Sequence, residues 1–180
     1  MHICIYNEHV HSNTSSIPRR LERFNLSREL RFIKSLYRDV MPDAWKAMRR
    51  LLQETHLSIE LGDIVHLNGS WYVRHSGLLR LANRRHCAGI HTEPILSSCE
   101  PSKNRWVFAA TVFRSTKCRW FAGHGDADPS NVSPFLLGNE MRIAETRAVN
   151  RALRKAYGIG ICSIEEIGSA APQPNCYFPR

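Results

Sequence analysis

The chain has 180 residues, with 25 Lys or Arg against 16 Asp or Glu, a formal net charge of +9. That length supports one domain with its own core. No apolar run approaches the roughly 20 residues a membrane-spanning helix needs, which leaves only a peripheral membrane role, and the excess positive charge favours a polyanionic partner, nucleic acid above all. Cys4, Cys87, Cys99, Cys118, Cys162 and Cys176 are scattered without a CxxC pair, and the N-terminus lacks the signature of a secretory leader. A reducing, cytoplasmic setting is therefore expected.

From Met1 to Pro18 polar residues and His follow one another without a sustained period, so residues 1–24 are expected to form a flexible segment, 25–168 a single domain and 169–180 a tail. Ser27 can cap a first helix running to about Val40, with Leu30, Ile33, Leu36 and Tyr37 on one face. Pro42 suits the first turn of a second helix, whose Trp45, Met48, Leu51 and Leu52 point inward. At Leu57 the pattern changes. LSIELGDIVHLNGSWYV places β-branched and aromatic residues around Asn68-Gly69, the dipeptide that tolerates positive φ in a two-residue turn, and predicts a β-hairpin.

Leu78, Leu79, Leu81 and Ala82 return to helical spacing between Ser76 and His86, with Arg74, Arg80, Arg84 and Arg85 alongside and no acid nearby. Three extended segments follow, Ala88–Leu96, Arg105–Phe113 and Thr116–Gly123, the last two joined by a tight Arg114-Ser115 connection. They predict an antiparallel meander covered by helices on one side. Asp126–Pro134 reads as a loop. The final helix carries Met141, Ala144, Ala148, Ala152 and Ala156 on an inward stripe, and Arg147, Arg151 and Arg154 recur on another side with Lys155 beside them. A row of guanidinium groups at that spacing suits phosphate oxygens. Gly158 and Gly160 end the helix. The fold class expected is α+β.

Three strings within that order carry a resemblance. SWYVRHSGLLRLANRR (Ser70–Arg85) holds a Leu-Ala-Asn signature, Gly123-His124-Gly125 closes the last meander strand, and NRALRKAYGIG runs from Asn150 to Gly160. Together the chain from Pro42 to Gly160 resembles the Rad52 superfamily of single-strand annealing proteins. The resemblance implies a β-β-α-β-β-β-α core preceded by N-terminal helices, assembly into homo-oligomeric rings or filaments, and single-stranded DNA held in a basic groove with its bases free to pair. It implies no cofactor and no catalytic step, a role in recombination and repair, a partner exonuclease or single-strand-binding protein, and a bacterial, phage- or plasmid-encoded setting. By the same resemblance Arg151 and Arg154 match groove arginines, Asn150 replaces a groove Lys, and Gly77 stands where a groove Arg is usual. Arg147, Lys155, Arg74, Arg80, Lys117 and Arg119 complete the expected nucleic-acid-binding set.

Annealing needs no covalent step, because base pairing supplies the free energy and the obstacle is the repulsion of two polyanions. Arginines on phosphate screen that charge without reading sequence. Trp71, Tyr72 and Tyr157 are candidates for base stacking, with core packing as their ordinary reading. Two alternatives remain. One is a Mg²⁺-dependent nuclease built on His124, Asp126 and Asp128, whose ordinary reading is a loop in which Asp and Asn bond their own backbone. The other is a nucleic-acid-binding adaptor that does not anneal. His91-Thr92-Glu93 lacks the P-C-x-x-C of a zinc deaminase, and His86, Cys87, His91 and Cys99 are irregularly spaced for a zinc knuckle. No GxxxxGK[ST] points to an ATP-driven recombinase.

Overall fold

The computed structural model describes residues 24–37, 42–117 and 119–168. The expected flexible start up to residue 23, the expected tail 169–180 and the first helix beyond Tyr37 lie outside the described residues. Helix α1 (Leu26–Leu36) is capped by Asn25, whose side-chain oxygen accepts the Arg28 N–H at 3.1 Å, rather than by Ser27. Helix α2 (Pro42–Thr55) begins on its proline, as expected, and buries Met48 and Leu52.

Leu57–Asp63 does not extend the following strand. Two buried carboxylates bind its polar groups and hold it in turns: Glu29 accepts from the Ser58 hydroxyl (2.6 Å) and the Ile59 N–H (2.9 Å), and Asp63 accepts from the Ser58 N–H (2.9 Å). Local side-chain acceptors outcompete a ladder here. Strands β1 (Ile64–Leu67) and β2 (Ser70–Val73) then form the expected hairpin, with Asn68 and Gly69 both at positive φ (47° and 76°) as a type I′ turn requires. Helix α3 (His75–Arg84) follows. Its Gly77 has no room for a side chain, since a Cβ there would lie 2.8 Å from both the Cβ and the carbonyl oxygen of Asp63.

Strands β3 (Gly89–Pro94), β4 (Trp106–Phe113) and β5 (Phe121–Ala127) make an antiparallel sheet with β4 in the middle. The third strand lies further along the chain than hydrophobic periodicity places it, and the turn before it spans residues 114–120 instead of two. The reason lies in what β5 buries. Gly123, Gly125 and Ala127 face inward, while Ala122, His124 and Asp126 face out, so the inward set is small rather than greasy.

Helix α4 (Glu140–Tyr157) lies across that inward face. Ala144, Ala148 and Ala152 bring its backbone onto β5, so closely that a Cβ on Gly123 would sit 2.6 Å from the Ala148 carbonyl oxygen, and one on Gly125 would collide with the Ala144 carbonyl oxygen and the Ala148 nitrogen. Val149, Leu153 and Ala156 are buried as well, and nine of the 18 residues of α4 are inside. Met141 is half exposed, not on the inward stripe. Gly158 ends the helix in the left-handed region (φ 67°), as expected.

The architecture is thus mixed α+β, in the order hairpin, short helix, meander and long helix that the sequence suggests, after two N-terminal helices. Because no side chain can be inserted between α4 and β5, Gly125→Ala should lower the unfolding free energy by about 3 kcal/mol. Chemical denaturation with matched m-values measures this, and a loss within 0.5 kcal/mol, roughly that of a neutral surface change, would contradict the packing.

Candidate nucleic-acid interface

Lowering α4 onto β5 decides what its basic side chains touch. Among the described residues β5 is an edge strand paired only with β4, and alternate residues of such a strand turn their carbonyls to the open edge. Arg147 Nη1 donates to the Asp126 carbonyl (2.7 Å), Arg151 Nη1 to His124 (2.7 Å) and Lys155 Nζ to Ala122 (2.8 Å). The basic repeat therefore first covers a sheet edge.

Two of the expected binding residues are corrected outright. Arg147 is 4% exposed and spends its guanidinium internally, on the carbonyls of Asp126, Asn131 and Glu165 and on the Asn131 side chain, at 2.7–2.9 Å. Burial pulls its pKa down, against the neighbouring carboxylates. Asn150 is fully buried. Its amide donates to the Ser163 hydroxyl (2.9 Å) and Glu165 Oε2 (3.0 Å), and its oxygen lies 2.6 Å from His75 Nδ1, which must then carry the proton. Neither side chain can reach a phosphate. Both instead fasten the segment after α4 to the helix.

Arg151 and Arg154 stay partly open but converge on one carboxylate. Arg151 Nε lies 3.1 Å from Glu166 Oε2 and Arg154 Nη1 2.8 Å from Oε1. Asp126 adds a second acid 3.6 Å from Arg151. Burial raises the Glu166 carboxyl, but bonds from Arg154 and Ser163 outweigh burial and leave its pKa below the ordinary value. Two positive and two negative charges thus nearly cancel.

Cations bonded to neutral carbonyls keep their full charge. Lys155 is one, and Arg85 is another, donating to the Glu54 carbonyl at 2.6 Å. With Arg114, whose guanidinium lies 5.7 Å from the Tyr157 ring centre, they line a cleft of about 410 Å³ walled by Phe121, Tyr157 and the end of α2. The acid there, Glu54, is paired with Arg50 at 2.7 Å. A second cleft of about 340 Å³, lined by Arg151, Arg154 and Gly160, shares Lys155 and Gly158 with the first, so the two adjoin at the C-terminal end of α4 and are taken together as the groove.

Arg114, Lys117 and Arg119 are exposed in the connection between β4 and β5, and none of the three has a carboxylate partner among the described residues. Trp120 beside them is 66% exposed. Arg80 and Arg74 lie apart from this groove. Arg80 Nη2 sits 2.5 Å from the fully buried Asp63 carboxylate, and Arg74 is half-buried near Gly62. Trp71 is a core residue packed edge-on against Tyr37, the ordinary reading of the two. Sequence reasoning missed Arg85, Arg114 and Trp120 as site residues, although the acid-free run from Arg114 to Gly125 was the available signal.

The acids of the nuclease alternative are bonded locally. Asp128 accepts from the Ser130 N–H and hydroxyl in a tight turn, whose bonds hold its carboxyl below the usual range. Asp126 accepts from Asn131. Among the described residues no three His, Cys, Asp or Glu side chains converge closely enough to hold a metal ion. Comparison of the chain with protein-family models, with curated proteins and with solved structures returns no match.

Two stability predictions follow from these contacts. Arg147→Ala leaves buried carbonyls without donors and should cost about 3 kcal/mol in denaturation, whereas a surface cation would cost almost nothing. The depressed pKa of Glu166 contributes stability that is present above about pH 4.3 and is lost as pH falls below it. Glu166→Gln should therefore flatten the acid limb of the stability–pH profile, and an unchanged limb would contradict the pairing.

Proposed function

We propose that this chain binds single-stranded DNA and promotes the annealing of complementary strands without a nucleotide cofactor. The observation that carries the reading is the uncompensated positive surface formed by Arg114, Lys117 and Arg119 together with the Arg85 and Lys155 side of the cleft at the end of α4, with Trp120 exposed beside it. Phosphates of a single strand meet charge there that no internal acid cancels, and contacts of that kind are blind to sequence. The element order and the three sequence strings that resemble single-strand annealing proteins support the same reading.

The track differs from the one the α4 spacing suggests. Arg114, Lys117, Arg119, Lys155 and Arg85 carry the phosphates, while Arg151 and Arg154 contribute only what Glu166 leaves them. Displaced counterions drive such binding, so affinity falls steeply with salt. Trp120 supplies a stacking face worth about 1–3 kcal/mol per base. Screening by several copies of the chain lets two strands approach, so the reading includes a homo-oligomer on the DNA.

Mixing complementary oligonucleotides, one carrying a donor and the other an acceptor dye, tests this without ATP and with or without Mg²⁺. Wild-type protein should speed pairing. Arg114→Ala/Lys117→Ala/Arg119→Ala should weaken single-strand binding about tenfold or more while its circular dichroism stays unchanged. Binding without acceleration would identify the non-annealing adaptor, and cleavage the nuclease. Tryptophan emission reports the same contact: DNA should quench it in the wild type and leave it unchanged in Trp120→Phe.

A further inference from the structure

The groove does not offer the same charge along its length. At one end Arg151 and Arg154 are neutralised by Glu166 and Asp126. At the other, three cations from three remote elements, Arg85 after α3, Arg114 after β4 and Lys155 in the last turn of α4, surround one concavity of about 410 Å³. Glu54 and Thr55, at the end of α2, line the same cleft.

The C-terminal ends of α2, α3 and α4 all border this cleft, and each brings a partial negative charge of roughly half a unit. Three full positive charges exceed that opposition, and Glu54 is offset by Arg50. A phosphodiester, with a single charge, uses this surplus poorly. A terminal phosphomonoester carries close to two charges at neutral pH and three acceptor oxygens that match donors arriving from three directions.

We propose that the cleft between Arg85, Arg114 and Lys155 binds the terminal phosphate of a DNA strand, so that the protein engages phosphorylated single-strand ends in preference to internal sequence. Phe121 and Tyr157 then flank the last nucleotide. This rests on the single-strand-binding reading and adds polarity to it, because one end of the groove is marked by charge.

The test is fluorescence anisotropy with the full chain and labelled oligothymidylates ending in a 5′-phosphate, a 3′-phosphate or hydroxyls only, alongside a circular single strand. One phosphorylated end should bind about fivefold tighter than the hydroxyl form at pH 7.5, and the advantage should shrink near pH 5.5, below the second ionisation at about 6. Arg114→Gln, an exposed side chain outside the core, should erase the advantage, as should Lys155→Gln. Equal affinity for all linear oligomers and the circle would overturn the end site while leaving single-strand binding in place. Failure to bind any of them would remove both.

Discussion

The backbone of α4 lying directly on the backbone of β5 is the constraint on which the rest depends. Gly123 and Gly125 supply the space, and Ala144, Ala148 and Ala152 the flat helix face. At that depth the side chains flanking the contact cannot extend freely into solvent. Four helical residues advance about 6 Å and two strand residues about 6.7 Å, so Arg147, Arg151 and Lys155 fall in step with the carbonyls of Asp126, His124 and Ala122. The open edge of the sheet is closed by cations, which also discourage pairing with a stray strand. A spacing that suits a row of phosphates suits a row of strand carbonyls equally well.

Charge is then sorted by partner. Arg147, satisfied by internal acceptors, and the pair on Glu166 hold the segment after α4 in place together with His75 and the buried Asn150 and Ser163. Among the described residues, Lys155, Arg85, Arg114, Lys117 and Arg119 have no carboxylate partner, and there the protein keeps a surplus of positive charge. A ligand gains most where no carboxylate must first be displaced, since breaking an internal pair costs what the new contact returns. The same logic is why the proposed interface lies at the end of the helix and the adjoining connection rather than on its arginine-rich face.

Much of the fold was legible. Asn68-Gly69 announced the hairpin, Pro42 the second helix, Gly158 the end of the last one, and the alternation of apolar segments the meander. What escaped was decided by groups that hydrophobic periodicity does not weigh. β5 is set by glycines, the Leu57–Asp63 turns by the carboxylates of Glu29 and Asp63, and Gly77 by the proximity of Asp63, which leaves no room for the arginine the resemblance would put there. The sequence put Lys117 and Arg119 on the third strand, which instead begins at Phe121, and burial of Arg147 and Asn150 depends on residues 126–131 and 163–166, whose approach no local pattern encodes.

The most direct measurement is photocross-linking of the protein to an oligomer bearing 5-iodouracil, followed by identification of the attached peptides. The account predicts attachment within residues 114–121 and 154–158, with Trp120 foremost. Attachment confined to the open sheet face of His91, Glu93 and His124, or to the apolar segment Pro134–Leu137, would contradict it.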